Sequence, residues 1–106
     1  MTDQPDPHPD MRPLIAARDA MPPATTVAEQ RANWTAMSDA LRAPYPDGMS
    51  VASAAALRAG GSVPLRVYRP ASSNGSAILY FHGGGFMKGD LDSGDTVAWG
   101  YAADTG

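Results

Sequence analysis

Cysteine is absent from these 106 residues, which excludes disulfide scaffolds, thiolate metal sites and cysteine nucleophiles. Basic charge is scarce: 8 Lys and Arg stand against 11 Asp and Glu, leaving a net charge of -3. The chain therefore has no basic field for tracking a nucleic-acid backbone or an anionic membrane surface. Long apolar runs are missing too. None approaches the roughly 20 residues of a membrane span, and Met1-Thr2-Asp3-Gln4-Pro5-Asp6-Pro7 has neither a basic nor an apolar leader region. The expectation is a cytoplasmic protein with no nucleic-acid or membrane partner. No internal repeat is present, and the length suits at most one domain of about 100–150 residues.

What is present falls into three stretches. Residues 1–9 carry Pro5, Pro7 and Pro9 with acids between them, a pattern that supplies neither helix donors nor core side chains and predicts a disordered tail. Residues 10–48 read as two helices. Asp10 is the expected N-cap of the first, which carries Leu14, Ile15 and Arg18 and ends before Pro22-Pro23. Thr25 or Thr26 opens the second, with Glu29 completing a capping box, and Val27, Trp34, Met37 and Leu41 form a stripe down to about Ala43. Residues 49–106 begin with a hairpin, Ser50–Ala59 and Val63–Tyr68 around Gly60-Gly61. The first of these strands is rich in alanine and poor in β-branched residues, so its own propensity is weak. Ala77-Ile78-Leu79-Tyr80-Phe81 has no polar alternation and predicts a strand covered on both faces, as inside an α/β sheet. A third helix is expected from Asp92-Ser93-Gly94-Asp95 onward, carrying Val97, Ala98, Tyr101 and Ala102.

Between the apolar run and the third helix stand His82-Gly83-Gly84-Gly85-Phe86. Consecutive glycines are costly to order, so a loop that keeps them is expected to let something approach its backbone. Converging N–H groups can serve a phosphate or a developing oxyanion. The phosphate patterns fail, because Lys88 stands where G-x-G-x-x-G needs glycine and no G-K-[ST] follows. The strand, His-Gly-Gly-Gly, helix context is that of an esterase oxyanion loop. Lys88, Asp90, Asp92 and Asp95 raise a cation site as an alternative, against which Asp92 and Asp95 are better placed to cap the third helix. No cofactor and no metal is expected.

The segment from Tyr80 to Asp95, Y-F-H-G-G-G-F-M-K-G-D-L-D-S-G-D, resembles the oxyanion segment of the hormone-sensitive-lipase-like (bacterial family IV) carboxylesterases, which are α/β-hydrolases. The two N-terminal helices resemble that family's cap, and Val63 to Pro70 resembles its second strand. The resemblance implies the N-terminal part of an α/β-hydrolase fold: cap helices, first strands of the central sheet and the first sheet-covering helix. It also implies that Gly84 and Gly85 supply oxyanion-hole N–H groups, that Gly83 shapes the loop and that His82 supports it. The other role for His82, triad base, conflicts with the order Ser, Asp or Glu, His along such chains. With the cap roofing the site, Phe86, Met87, Trp34 and Met21 become candidates for the substrate pocket. Two positions depart from the family pattern: Trp99 stands where a basic residue is common, and Gly94 where a His often precedes Asp95.

No serine lies in a G-x-S-x-G elbow, and His8 and His82 are the only histidines. The expected function is hydrolysis of short to medium acyl esters by a Ser-His-Asp mechanism. The nucleophile, acid and base would lie outside residues 1–106, in the remainder of the chain or on a second polypeptide, and these residues alone would be inactive. An ester substrate is the expected small-molecule partner, and self-association stays open. The competing reading is a catalytically inactive fragment or a module that docks its apolar surface on a partner.

Overall fold

Of the three α-helices among the described residues, the second alone starts on a side-chain cap. In the computed structural model, which describes residues 5–106, a 3-10 turn at Pro9–Met11 leads into helix α1, Arg12–Asp19. The remainder of the expected tail, residues 1–4, lies outside the described residues. Asp10 is not the cap of α1: it sits inside the 3-10 turn, donating its N–H to Nδ1 of His8, the turn's own N-cap, at 3.3 Å, and Met11 holds the N-cap position of α1 without a side-chain bond. Pro13 falls in the first turn of α1, where its missing N–H costs nothing.

Helix α2 spans Val27–Ala40. Thr26 Oγ1 accepts from the Glu29 N–H at 3.1 Å, while Glu29 Oε2 accepts from the N–H groups of Thr25 at 2.7 Å and Thr26 at 3.3 Å. These backbone donors hold the Glu29 carboxyl below its ordinary value. Replacing Thr26 by alanine is expected to destabilise the protein by about 1 kcal/mol, read as a lowered urea midpoint. An unchanged midpoint would show that the cap contributes nothing. The helix stops before Ala43, where the chain turns away so that the Ala43 N–H can reach Thr96 Oγ1 at 3.1 Å.

Strands β1, Ser50–Arg58, and β2, Gly61–Arg69, form an antiparallel pair in which Val51 faces Tyr68 and Ala54 faces Leu65. The tight connection is Ala59-Gly60, one residue earlier than Gly60-Gly61, with Gly60 at a φ of 79°. Alanine-rich β1 is a full-length strand because backbone pairing, not side-chain propensity, fixes it. Only the later half of β2, Leu65 to Tyr68, is half-buried, because helix α3, Asp95–Thr105, lies against it.

The stretch from Ala77 to Phe81 forms no strand among the described residues, contrary to expectation. A strand needs a neighbour to take its N–H and C=O groups, and here the sheet contains β1 and β2 alone. Ile78, Leu79 and Phe81 are 58%, 76% and 79% exposed. A gap of about 620 Å³ separates β2, this stretch and α3, lined by Leu65, Val67, Ile78, Tyr80, Ala98 and Tyr101. No hydrophobic side chain among the described residues is fully buried. The radius of gyration, 16.9 Å, exceeds the about 13 Å of a compact domain this long. The architecture is thus mixed α and β, a small antiparallel sheet with α3 against one of its strands.

Candidate functional site

The glycine loop lies between the apolar stretch and α3, and its backbone is unusual. Gly84 has a φ of 148°, Gly85 and Phe86 both 61°. The Gly84 carbonyl accepts from the N–H groups of Met87 and Lys88, each at 3.2 Å, closing a tight turn. Phe86 is the one non-glycine residue with positive φ among the described residues, a conformation that costs a side-chain-bearing residue about 1–2 kcal/mol. Backbone held in such a state marks a functional candidate. Neither the Gly84 nor the Gly85 N–H donates to any group among the described residues.

His82 supports this loop locally. Its Nδ1 lies 2.9 Å from the Gly83 carbonyl oxygen; because a carbonyl only accepts, that contact places the ring hydrogen on Nδ1. A Cβ at Gly89 would lie 2.8 Å from Nδ1 and 2.7 Å from the Gly83 oxygen, so the ring sits between the two ends of the loop. Gly94 leaves room on the other side, where a Cβ would lie 3.1 Å from Cβ of His82.

A cleft of about 570 Å³ opens over the loop, lined by residues 82–90 together with Arg31 and Thr35 of α2. That size suits a small ligand. Of the pocket candidates, Phe86 and Met87 line it and are exposed, whereas Met21 and Trp34 lie outside the lining. Trp34 instead supports Lys88, whose Nζ stands 4.6 Å from the ring centroid. Arg31 Nε–H donates to the Met87 carbonyl, tying α2 to the loop.

Behind the loop lies a polar cluster that sequence reading missed. Asp95 Oδ1 accepts from the Tyr68 hydroxyl, from Tyr45 Oη at 2.9 Å and from Arg66 Nη1 at 3.0 Å. Its Oδ2 accepts from Arg42, with Nη2 at 2.9 Å and Nε at 3.0 Å. Arg66 Nη2 also reaches Asp92 Oδ1 at 2.8 Å. The Asp95 side chain is only 1% exposed. Burial pushes its carboxyl upward, but the hydrogen bonds from Tyr68, Tyr45, Arg66 and Arg42 outweigh this and hold it below the ordinary carboxylate range. Burial and the neighbouring Asp95 raise the Tyr68 hydroxyl. Burial disfavours the Arg66 charge, yet Asp92 and Asp95 more than compensate and raise its value.

The expectation that Asp92 and Asp95 cap α3 is therefore corrected. Gly94 holds the N-cap position without a side-chain bond, because both carboxylates are drawn to the guanidinium groups. Asp90 points elsewhere, its Oδ1 accepting from the Ser93 N–H at 2.7 Å. No group of His, Asp and Glu suited to a metal ion occurs among the described residues.

No family model and no solved structure matches the chain. Over 69 residues it is 44% identical to an ethyl acetate hydrolase of Pseudomonas putida. That match covers 61% of this chain and 21% of the relative, so the chain spans about a fifth of that protein's length.

Proposed function

We propose that these residues form the cap and oxyanion loop of a carboxylic ester hydrolase of the hormone-sensitive-lipase-like group, within an α/β-hydrolase fold. The carrying observation is the glycine loop: Gly84 and Gly85 line a small-molecule cleft, and their N–H groups have no partner among the described residues. In this reading a serine supplied outside residues 1–106 attacks the ester carbonyl. The carbonyl oxygen becomes an anion in the tetrahedral intermediate, and the two amides stabilise that charge where it develops. Collapse of the intermediate breaks the bond to the alcohol, which leaves with the proton that the histidine took from the serine, and water then hydrolyses the acyl-serine to the free acid and the regenerated serine. Short to medium acyl esters fit the cleft, and similarity to a hydrolase of ethyl acetate favours the short end. The enzyme would work in the cytoplasm.

The test is hydrolysis of 4-nitrophenyl acetate by the intact protein as the cell makes it, followed by labelling with a fluorophosphonate and mapping of the labelled serine. Turnover abolished by the label, with the modified serine outside residues 1–106, is expected. Folded protein with neither turnover nor label would sink the reading and leave a docking module. The exposed apolar stretch from Ile78 to Phe81 is the observation that favours that second function.

A further inference from the structure

We infer that the cleft selects esters carrying a carboxylate on the acyl or alcohol part, with Arg31 and Lys88 as the specificity-determining residues. The inference rests on the proposed hydrolase reading and names its substrate class. The chain as a whole is acidic, with a net charge of -3, yet the cleft lining is not. It holds Arg31 and Lys88 against a single acid, Asp90, whose Oδ1 is engaged by the Ser93 N–H.

Arg31 is fixed in place, because its Nε–H is committed to the Met87 carbonyl. That bond uses one of the five guanidinium donors. The Nη groups have no carboxylate partner among the described residues, in contrast to Arg42 and Arg66, which face Asp92 and Asp95. A held guanidinium with spare parallel donors matches a carboxylate in both charge and shape. Lys88 lines the same cleft and adds a second positive charge, its Nζ standing 4.6 Å from the ring centroid of Trp34 on α2. Thr35 lines the same wall and offers a hydroxyl. A neutral ester finds no use for these donors, whereas a dicarboxylic acid hemiester can place its ester carbonyl at the glycine amides and its free carboxylate on Arg31.

The experiment compares mono-4-nitrophenyl adipate with 4-nitrophenyl hexanoate, esters matched in acyl length, using the intact protein. At low salt kcat/KM is expected to favour the hemiester at least tenfold, a preference that shrinks as ionic strength rises. Arg31→Gln is expected to lower that ratio at least tenfold. A loss shared equally by both esters would make Arg31 a loop clamp only and overturn the inference. Lys88→Gln leaves the Arg31–Met87 contact in place and is expected to lower the ratio severalfold; an unchanged ratio in both variants would also overturn it. Binding of adipic acid monoamide, which carries the carboxylate but no ester, followed by calorimetry, supplies a readout independent of turnover. Arg31-dependent binding without ester hydrolysis would sink the hydrolase reading while sparing the anion site. Hydrolysis of both esters at equal rates, without Arg31-dependent binding, would sink the anion site alone.

Discussion

Replacing Gly84 by alanine is expected to lower ester hydrolysis by the intact protein about 10²–10³-fold, the usual consequence of losing one oxyanion donor, because the variant would displace the N–H to which we assign that role. A Cβ at this position would lie 1.7 Å from the Lys88 carbonyl oxygen and 2.6 Å from its carbon, at a φ of +148°. The obstacle is backbone, so no side-chain rotation relieves it, and the turn held by the Gly84 carbonyl must open. The chain should still fold, with the disruption confined to the loop, because the loop is largely exposed and buries no apolar core. Gly85→Ala is the informative companion. Its Cβ would meet nothing within 4 Å, but its φ is +61°, so the penalty is the left-handed conformation alone, about 1–2 kcal/mol. The expected order is a severe loss for Gly84→Ala and a milder one for Gly85→Ala. Equal rates for Gly84→Ala and the unmodified protein would remove the loop from the catalytic machinery.

Local chemistry was the legible part of this chain. The Thr26–Glu29 capping box, the hairpin and the glycine loop each depend on residues within a few positions of one another; the box and the loop stand where the sequence pattern points, and the hairpin turn falls one residue earlier. What could not be read depends on partners distant along the chain. Ile78, Leu79 and Phe81 have the composition of an interior strand, yet a strand exists only beside another strand, and none flanks them among the described residues. Asp92 and Asp95 have the right spacing for helix capping. Their carboxylates are nonetheless held by Arg42 and Arg66, which lie 50 or more and 26 or more positions away. Trp34 shows the same limit. Its place in the helical stripe was evident, but only the tertiary arrangement shows it supporting Lys88 rather than lining the cleft.

Asp95→Asn is expected to cost the protein about 3 kcal/mol of stability, the lower end of what removing one partner of a buried ion pair costs. Arg66 and Arg42 retain 21% and 36% side-chain exposure and so recover some hydration, which is why the upper end is not expected. The amide preserves the shape of the site but cannot balance either guanidinium, nor can one amide oxygen replace the two that now accept from five donor atoms. The pH dependence carries the sign of a carboxyl depressed in the folded state. Its stabilising contribution is fully present above the unfolded value, about 3.9, and is lost as pH falls through the folded value. Stability of the unmodified protein should therefore decline in acid, while Asp95→Asn should show a flatter acid limb starting from a lower plateau. Thermal unfolding followed from pH 7 downward measures both. The cluster joins the end of α2 to β2 and α3, and Arg31 lies about three turns before Arg42. Loosening Asp95 should thus also loosen the clamp on Met87, so hydrolysis is expected to fall even at temperatures where the variant stays folded. Unchanged stability and an acid limb parallel to that of the unmodified protein would show that solvent, rather than Asp95, balances the two arginines.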